Sequence, residues 1–318
     1  MDRNSFLGNK GIESPADFFE GLDDQGRDKL NRLMFGDIRN NDKTFAEHFQ
    51  GFIKLVPNWG INKQNNEQGV SKKRRVDTQC EEIVNLFWEQ LSEDKWASLL
   101  VLRTQNSGLC YLHAPVVLEH YLIAISTNCG VYSSIDIGLY ESDLLSGESL
   151  VEFLVKNRGG NSQKTLKDIC KLQEHQTKRY AIPDKDELPE AYAQTCEKVF
   201  MRVSNEPALV SVFTVFPDFK DATKVSFVGL PNFGDSDEKH SMVLIGARKS
   251  TSGDYFFLLQ NWWDTKYFVE VSGDCMYHCG ALITFVNVPI SRRVDLVTYM
   301  ASYAETCVDT AETYYECL

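Results

Sequence analysis

Two periodicities divide the chain. Up to about residue 175, apolar residues recur at helical spacing. Beyond about residue 195, they occur in short runs rich in Val, Phe and Leu. The spacing predicts a helix over 14–35, opened by Ser14 and Pro15 as cap and first position, and a short helix over 42–54. Residues 57–79 are polar and loop-like and contain the basic cluster Lys72-Lys73-Arg74-Arg75, read as a solvated loop that could also serve as a processing site. An amphipathic pattern from 76 to 102, with Ile83, Leu86, Phe87, Leu91 and Trp96, predicts at least one more helix. The clearest helix spans 109–126, where Leu112, Val116, Leu118, Tyr121, Leu122 and Ile125 recur; further helices are expected over 144–155 and 162–174. Strands are expected over 208–215, 225–228, 241–247, 255–260, 266–271 and 282–288, and 291–318 is helix-compatible. Helices followed by strands predict an α+β fold with segregated subdomains. The expected division is a helical extension over 1–100, a helical subdomain over 101–195, a β-rich subdomain over 196–290 and a helical tail over 291–318.

Composition narrows the function classes. The 318 residues include 33 Lys and Arg against 45 Asp and Glu, a formal net charge of −12, which argues against a general binder of nucleic acid or anionic membrane. No apolar run approaches a membrane span, and the first ten residues lack the apolar core of a secretory signal. A reducing intracellular compartment, such as the cytoplasm, is the expectation. Nine cysteines is an odd number, so at least one thiol is free or bonded between chains. Cys275-Met276-Tyr277-His278-Cys279 offers three soft ligands in five residues, but no second cluster supplies a fourth, so no metal or other cofactor is expected.

Three positions bear on catalysis. Cys110 opens the best helix, where the positive end of the helix dipole favours a thiolate, the form that attacks carbonyl carbon. Gln105, five residues upstream, could donate its amide to an oxyanion. His240 stands at the entrance of an apolar strand. Asn261 ends another, before Trp262 and Trp263, and its oxygen could accept from an imidazole while an indole covers the bond. Each alone reads as ordinary structure: a small buried thiol, a surface histidine, a turn asparagine. The order of the three is more specific. His240 follows Cys110 by 130 residues, and Asn261 follows His240 by 21; in the papain and cathepsin group the His and Asn lie about 130–150 residues after the Cys.

From about Gln105 to Val288 the chain resembles the papain-like cysteine peptidases. Gln105 to Tyr111 resembles the nucleophile block, and Leu145-Ser146-Gly147-Glu148-Ser149-Leu150-Val151-Glu152 the segment that follows it. Asn157-Arg158-Gly159-Gly160 resembles the Cys-Asn-Gly-Gly segment, and Glu206 to Val212 the Gly-Pro-Val-Ser-Val strand. Lys239-His240-Ser241-Met242-Val243 resembles the histidine block, and Asn261-Trp262-Trp263-Asp264-Thr265 the asparagine block. The resemblance implies a helical left subdomain and a β-barrel-like right subdomain with the cleft between them. It implies hydrolysis of a peptide or protein substrate through a thiolate–imidazolium pair and an acyl-enzyme. Cys110 would be the nucleophile, His240 the base and then acid, and Asn261 the orienting group. Gln105 would complete the oxyanion hole, Trp263 the shield, and Gly159 and Gly160 the substrate-backbone contacts. Residues 1–100 could then act as an autoinhibitory prosegment or as a regulatory domain.

The departures are specific. Gln105 stands one residue nearer the nucleophile than in the family, Tyr111 replaces a Trp, Lys239 an acid, and Asp264 and Lys266 glycines, which crowds the wall near Trp263. The family's disulfide positions are mostly vacant, so the thiols are expected free; Cys307 and Cys317 could bridge only in an oxidising compartment. Deamidation or transamidation on the same triad, and a catalytically silent binding module, are the alternatives.

Overall fold

The structure is a computed structural model that describes residues 45–60, 82–88, 110–127, 160–263 and 265–288. Helices α1 (Phe45–Leu55), α2 (Cys110–Thr127), α3 (Ser162–Cys170), α4 (Pro189–Val203), α5 (Pro217–Lys220) and α6 (Gly273–His278) accompany eight strands. These are β1 (Ile83–Leu86), β2 (Thr177–Ala181), β3 (Ala208–Thr214), β4 (Ser226–Phe227), β5 (Lys239–Lys249), β6 (Tyr255–Trp263), β7 (Lys266–Ser272) and β8 (Leu282–Val286). One sheet runs β2-β8-β3-β5-β6-β7-β4, with β1 also paired to β5. Every pairing is antiparallel except β4 with β7. The fold is α+β.

The sheet is covered on both faces, which explains its long apolar runs. Along β5, Val243 and Ile245 enter one core cluster while Met242 and Leu244 enter the other. Along β6, Leu258 joins the first cluster and Phe257 and Leu259 the second. The first cluster holds α1, through Phe45, Phe49 and Phe52, and α2, through Ala114, Val117, Leu118 and Tyr121. The second holds α4, through Tyr192, Cys196, Val199, Phe200 and Val203. Helix α2 is apolar nearly all round because it is buried nearly all round.

The expected helices over 42–54, 109–126 and 162–174 correspond to α1, α2 and α3, and the six expected strands to β3 through β8. In the window 76–102, where at least one helix is expected, the described residues 82–88 hold a strand, and the rest of the window lies outside the described residues. Ile83–Leu86 pairs with Gly246–Lys249, leaving Ile83 half exposed and Leu86 buried. Four residues are too few for periodicity to separate strand from helix. Gly246 admits this strand: a Cβ there would stand 2.5 Å from Leu86 and 3.3 Å from Trp59. Four elements had no counterpart in the sequence reading: β2, α4, α5 and α6. Helix α4 runs through residue 195, the expected subdomain boundary. The expected helices over 14–35 and 144–155, the basic cluster at 72–75 and the tail over 291–318 lie outside the described residues.

A buried ionic cluster ties the N-terminal elements to the sheet. Glu270 of β7 accepts from the Trp59 indole (2.6 Å), Arg248 Nε (2.7 Å) and the Ser226 hydroxyl (2.7 Å). Arg248 also bonds Glu82 and stacks on Phe256, 3.8 Å from the ring centroid. The Arg248 and Glu270 side chains are 7% and 2% exposed, so removing one partner strands a buried charge. Glu270→Leu should therefore lower the unfolding free energy by about 3 kcal/mol. Urea unfolding should show an earlier midpoint at unchanged slope. Glu82→Gln, on the wetter side of the cluster, should cost less.

Candidate active site

Two β-bulges shape the site. In β3 and β5, Val210 pairs with Met242 and Phe213 with His240, so Ser211 and Val212 oppose the single residue Ser241. Val212 has φ of 62°, a left-handed conformation that a β-branched residue adopts only under constraint. In β6 and β7, Gln260 pairs with Phe268 and Trp263 with Lys266, so Asn261 and Trp262 oppose Tyr267 alone. Bulges re-aim side chains next to functional sites. Here the second one turns Asn261 toward His240.

His240 Nε2 lies 2.7 Å from Asn261 Oδ1, with both residues buried. Asn261 Nδ2 donates to the Lys266 carbonyl at 3.0 Å. That second bond fixes which end of the amide faces the imidazole. Asn261 presents its oxygen, so His240 Nε2 carries the proton and Nδ1 is left with a lone pair, the form of a general base. The Trp263 ring lies over His240, with centroids 5.1 Å apart and planes 31° apart, and Phe219 stands 6.4 Å away on ring centroids.

Cys110 is the first residue of α2, and its thiol meets the backbone N–H and the hydroxyl of Ser241, the residue after His240. Ser241 is itself fixed. Its hydroxyl donates to Ser162 at the start of α3 (2.9 Å), and its carbonyl accepts from the Trp262 indole (2.8 Å). Tyr121 anchors α2 from below by donating to Gln260, beside Asn261, at 2.7 Å. His240, Asn261 and Trp263 are thus brought together, and Cys110 meets the residue that follows His240 in the chain. Gly160 lies against Tyr111, the residue after Cys110: a Cβ on Gly160 would stand 2.1 Å from the Tyr111 ring. Gln105 and Gly159 lie outside the described residues. Ser241 and Lys266 are partners the sequence reading left unassigned, because nothing local shows which thiol or carbonyl a Ser or Lys will meet.

Burial governs the charges. It pushes the Cys110 thiol up to about 11, against the Ser241 and Tyr111 backbone amides that pull it down; Glu238 adds to the rise. It also lowers the His240 imidazole to about 4, against the opposing pull of Asn261 and Glu238. Desolvation thus favours thiol with neutral imidazole over the thiolate–imidazolium pair that the family resemblance implies.

Elsewhere, Cys275 and Cys279 are buried with sulfurs 4.0 Å apart, and His278 lies 3.4 Å from Asp274. Cys110, Cys170, Cys196, Cys275 and Cys279 are free thiols. Among the described residues, no group of three His, Cys, Asp or Glu side chains is placed to hold a metal, and no helix is long and apolar enough to cross a membrane.

No family model matches this chain, and no curated protein matches it. Solved structures do. The bromelain protease from Ananas comosus is 14% identical over 64% of this chain and 98% of its own, with a TM-score of 0.32. The proform of the Amb a 11 cysteine protease, a ragweed pollen allergen, is 14% identical over 91% of this chain and 96% of its own, at 0.36. SERA5E from Plasmodium falciparum is 12% identical over 64% of this chain and 96% of its own, at 0.33.

Two outcomes follow from this geometry. Gly160→Ala should force the buried Tyr111 ring aside, costing about 1–3 kcal/mol as overpacking does; thermal unfolding would record it, and alkylation of Cys110 should slow as its neighbour moves. The second concerns acid. His240 is neutral in the fold down to about pH 4, whereas an unfolded His protonates near 6.5. Between those values the unfolded state binds the extra proton, so stability falls as pH drops through the window, by about 3 kcal/mol when complete. His240→Gln cannot take up that proton. Its unfolding free energy should lose less between pH 6.5 and 4 than that of the wild type.

Proposed function

We propose that the chain is a papain-like thiol peptidase, cleaving peptide bonds through an acyl-enzyme on Cys110. The observation that carries this reading is the buried His240–Asn261 bond under Trp263, held one residue along the strand from the thiol's partner Ser241. An imidazole with its Nε2–H tied down and its Nδ1 open is built to accept a proton, and a thiol at a helix N-terminus is the group that needs to lose one. His240 takes the thiol proton as Cys110 attacks the carbonyl, and the electron pair moves to the carbonyl oxygen. His240 then protonates the leaving amine as the C–N bond breaks, and water releases the acyl group by the same route in reverse. Because burial disfavours the resting ion pair, proton transfer accompanies substrate arrival rather than preceding it. Helix dipole and backbone amides then stabilise charge as it develops. Gln105, Gly159 and Gly160 would complete the oxyanion hole and the substrate-backbone contacts. Residues 1–100 would regulate access to the site, and a reducing compartment would keep Cys110 free.

A thiol-directed peptidyl probe tests this. Mass spectrometry should find it on Cys110 of the folded, reduced protein, and Cys110→Ser should take up none there. Removing His240 should lower peptide turnover by about three or more orders of magnitude, as loss of a triad member does. A folded wild-type protein that never labels at Cys110, even after proteolysis near 72–75, would favour the silent binding module. Transfer of the acyl group to an added amine, with no hydrolysis, would favour the transamidase.

A further inference from the structure

The site's most unusual group is a lysine. Lys266 opens β7 and is 4% exposed. Its ammonium donates to three backbone carbonyls: Phe219, Asp221 (2.6 Å) and Lys224 (3.2 Å). Those are three acceptors for three protons, which is full satisfaction for an ammonium. The rings of Phe219, Phe227 and Trp263 surround it at 5.3, 5.5 and 5.8 Å from Nζ to centroid. The nearby Asp221 carboxylate is engaged by the Thr223 N–H (2.9 Å) and hydroxyl (2.8 Å), so it is the carbonyls and rings that cradle the charge.

Both ends of Lys266 reach the His240–Asn261 pair. Its own carbonyl takes Asn261 Nδ2 and so decides which way the amide faces. Its ammonium gathers Trp263, which covers His240, and Phe219, whose ring lies 5.3 Å from Trp263 and 6.4 Å from His240. The segment from Phe219 to Lys224 has only the short helix α5 for regular structure. Three of its carbonyls converge on the ammonium.

We propose that Lys266 is a positioning residue for the proton-transfer pair: its ammonium pins the 219–224 segment and the Phe219 and Trp263 rings over the His240–Asn261 hydrogen bond, excluding water and holding the imidazole at its working angle. The kinetic consequence rests on the peptidase reading above; the structural one does not.

The test uses the full chain and two variants. Lys266→Met keeps an unbranched stem and removes the charge. Lys266→Arg keeps a charge but replaces the ammonium with a planar fork that cannot converge on three carbonyls. The first readout is the exchange of the His240 Nε2–H with water, by NMR of nitrogen-15-labelled protein whose fold is checked by circular dichroism. It needs no activity. Lys266→Met should speed exchange at least about tenfold, since local opening of a buried bond sets its protection, and Lys266→Arg should fall between. Unchanged exchange in a folded Lys266→Met overturns the proposal; if that variant does not fold, Lys266→Arg decides by the same criterion. The second readout is steady-state kinetics. Misplacing a catalytic group by a fraction of an ångström should lower kcat by about 10- to 100-fold and leave KM within about twofold. Faster exchange with unchanged kcat would also overturn it. A wild type without peptidase activity would sink the functional reading, while the exchange measurement still decides the role of Lys266.

Discussion

Strands β5, β6 and β7 are covered on both faces, and that constraint shapes everything polar inside them. A polar group at the middle of such a strand has no water to turn to, so it must find its partner within the protein or cost a few kcal/mol. Glu270 finds Trp59, Ser226 and Arg248. Lys266 finds three carbonyls, and Asn261 finds His240 on one side and a Lys266 carbonyl on the other. The candidate site is a further case of the same requirement: an imidazole held in one tautomer because its neighbour's amide is already committed.

The bulges are where the sheet yields to that requirement. A regular β6 would send Asn261 and Trp262 to opposite faces in strict alternation with β7. The extra residue opposite Tyr267 lets Asn261 face His240 while the Trp262 indole reaches the Ser241 carbonyl. The bulge in β3 sits across from Ser241 and forces Val212 into a positive φ. Such strain persists only where surrounding structure over-determines it, and it gathers at functional positions. Both irregularities lie within a residue or two of the histidine and the asparagine.

Much of this was legible in the sequence, for reasons tied to particular residues. The runs Met242–Ala247 and Tyr255–Leu259 carry no polar side chain in their interiors because both faces of their strands are buried, and such a run bounded by turn residues reads as a strand. Helix α2 was legible because a largely apolar stretch of eighteen residues is too long for a strand. Strand β1 was not, since Ile-Val-Asn-Leu satisfies either pattern. Helix α4 carried a usable signal that went unread: Pro189 at its first turn, then Tyr192, Cys196, Val199, Phe200 and Val203 down one face. At the site, Cys110, His240, Asn261 and Trp263 stood out by order and spacing. The resting charge state did not, because it depends on how deeply the pair is buried. Lys266 read only as a bulky replacement for glycine, because its role depends on three carbonyls more than forty residues away in the chain.

The central claim is that the Cys110 sulfur becomes covalently bonded to the acyl part of the substrate. The most direct measurement is rapid acid quench of the protein with an activated peptide ester, followed by intact mass and peptide mapping. The account predicts a transient mass increase equal to the acyl group, located on Cys110 and abolished by removing His240. Ester hydrolysis that proceeds with Cys110 unmodified at every quench time, or with the adduct on another residue, would contradict it.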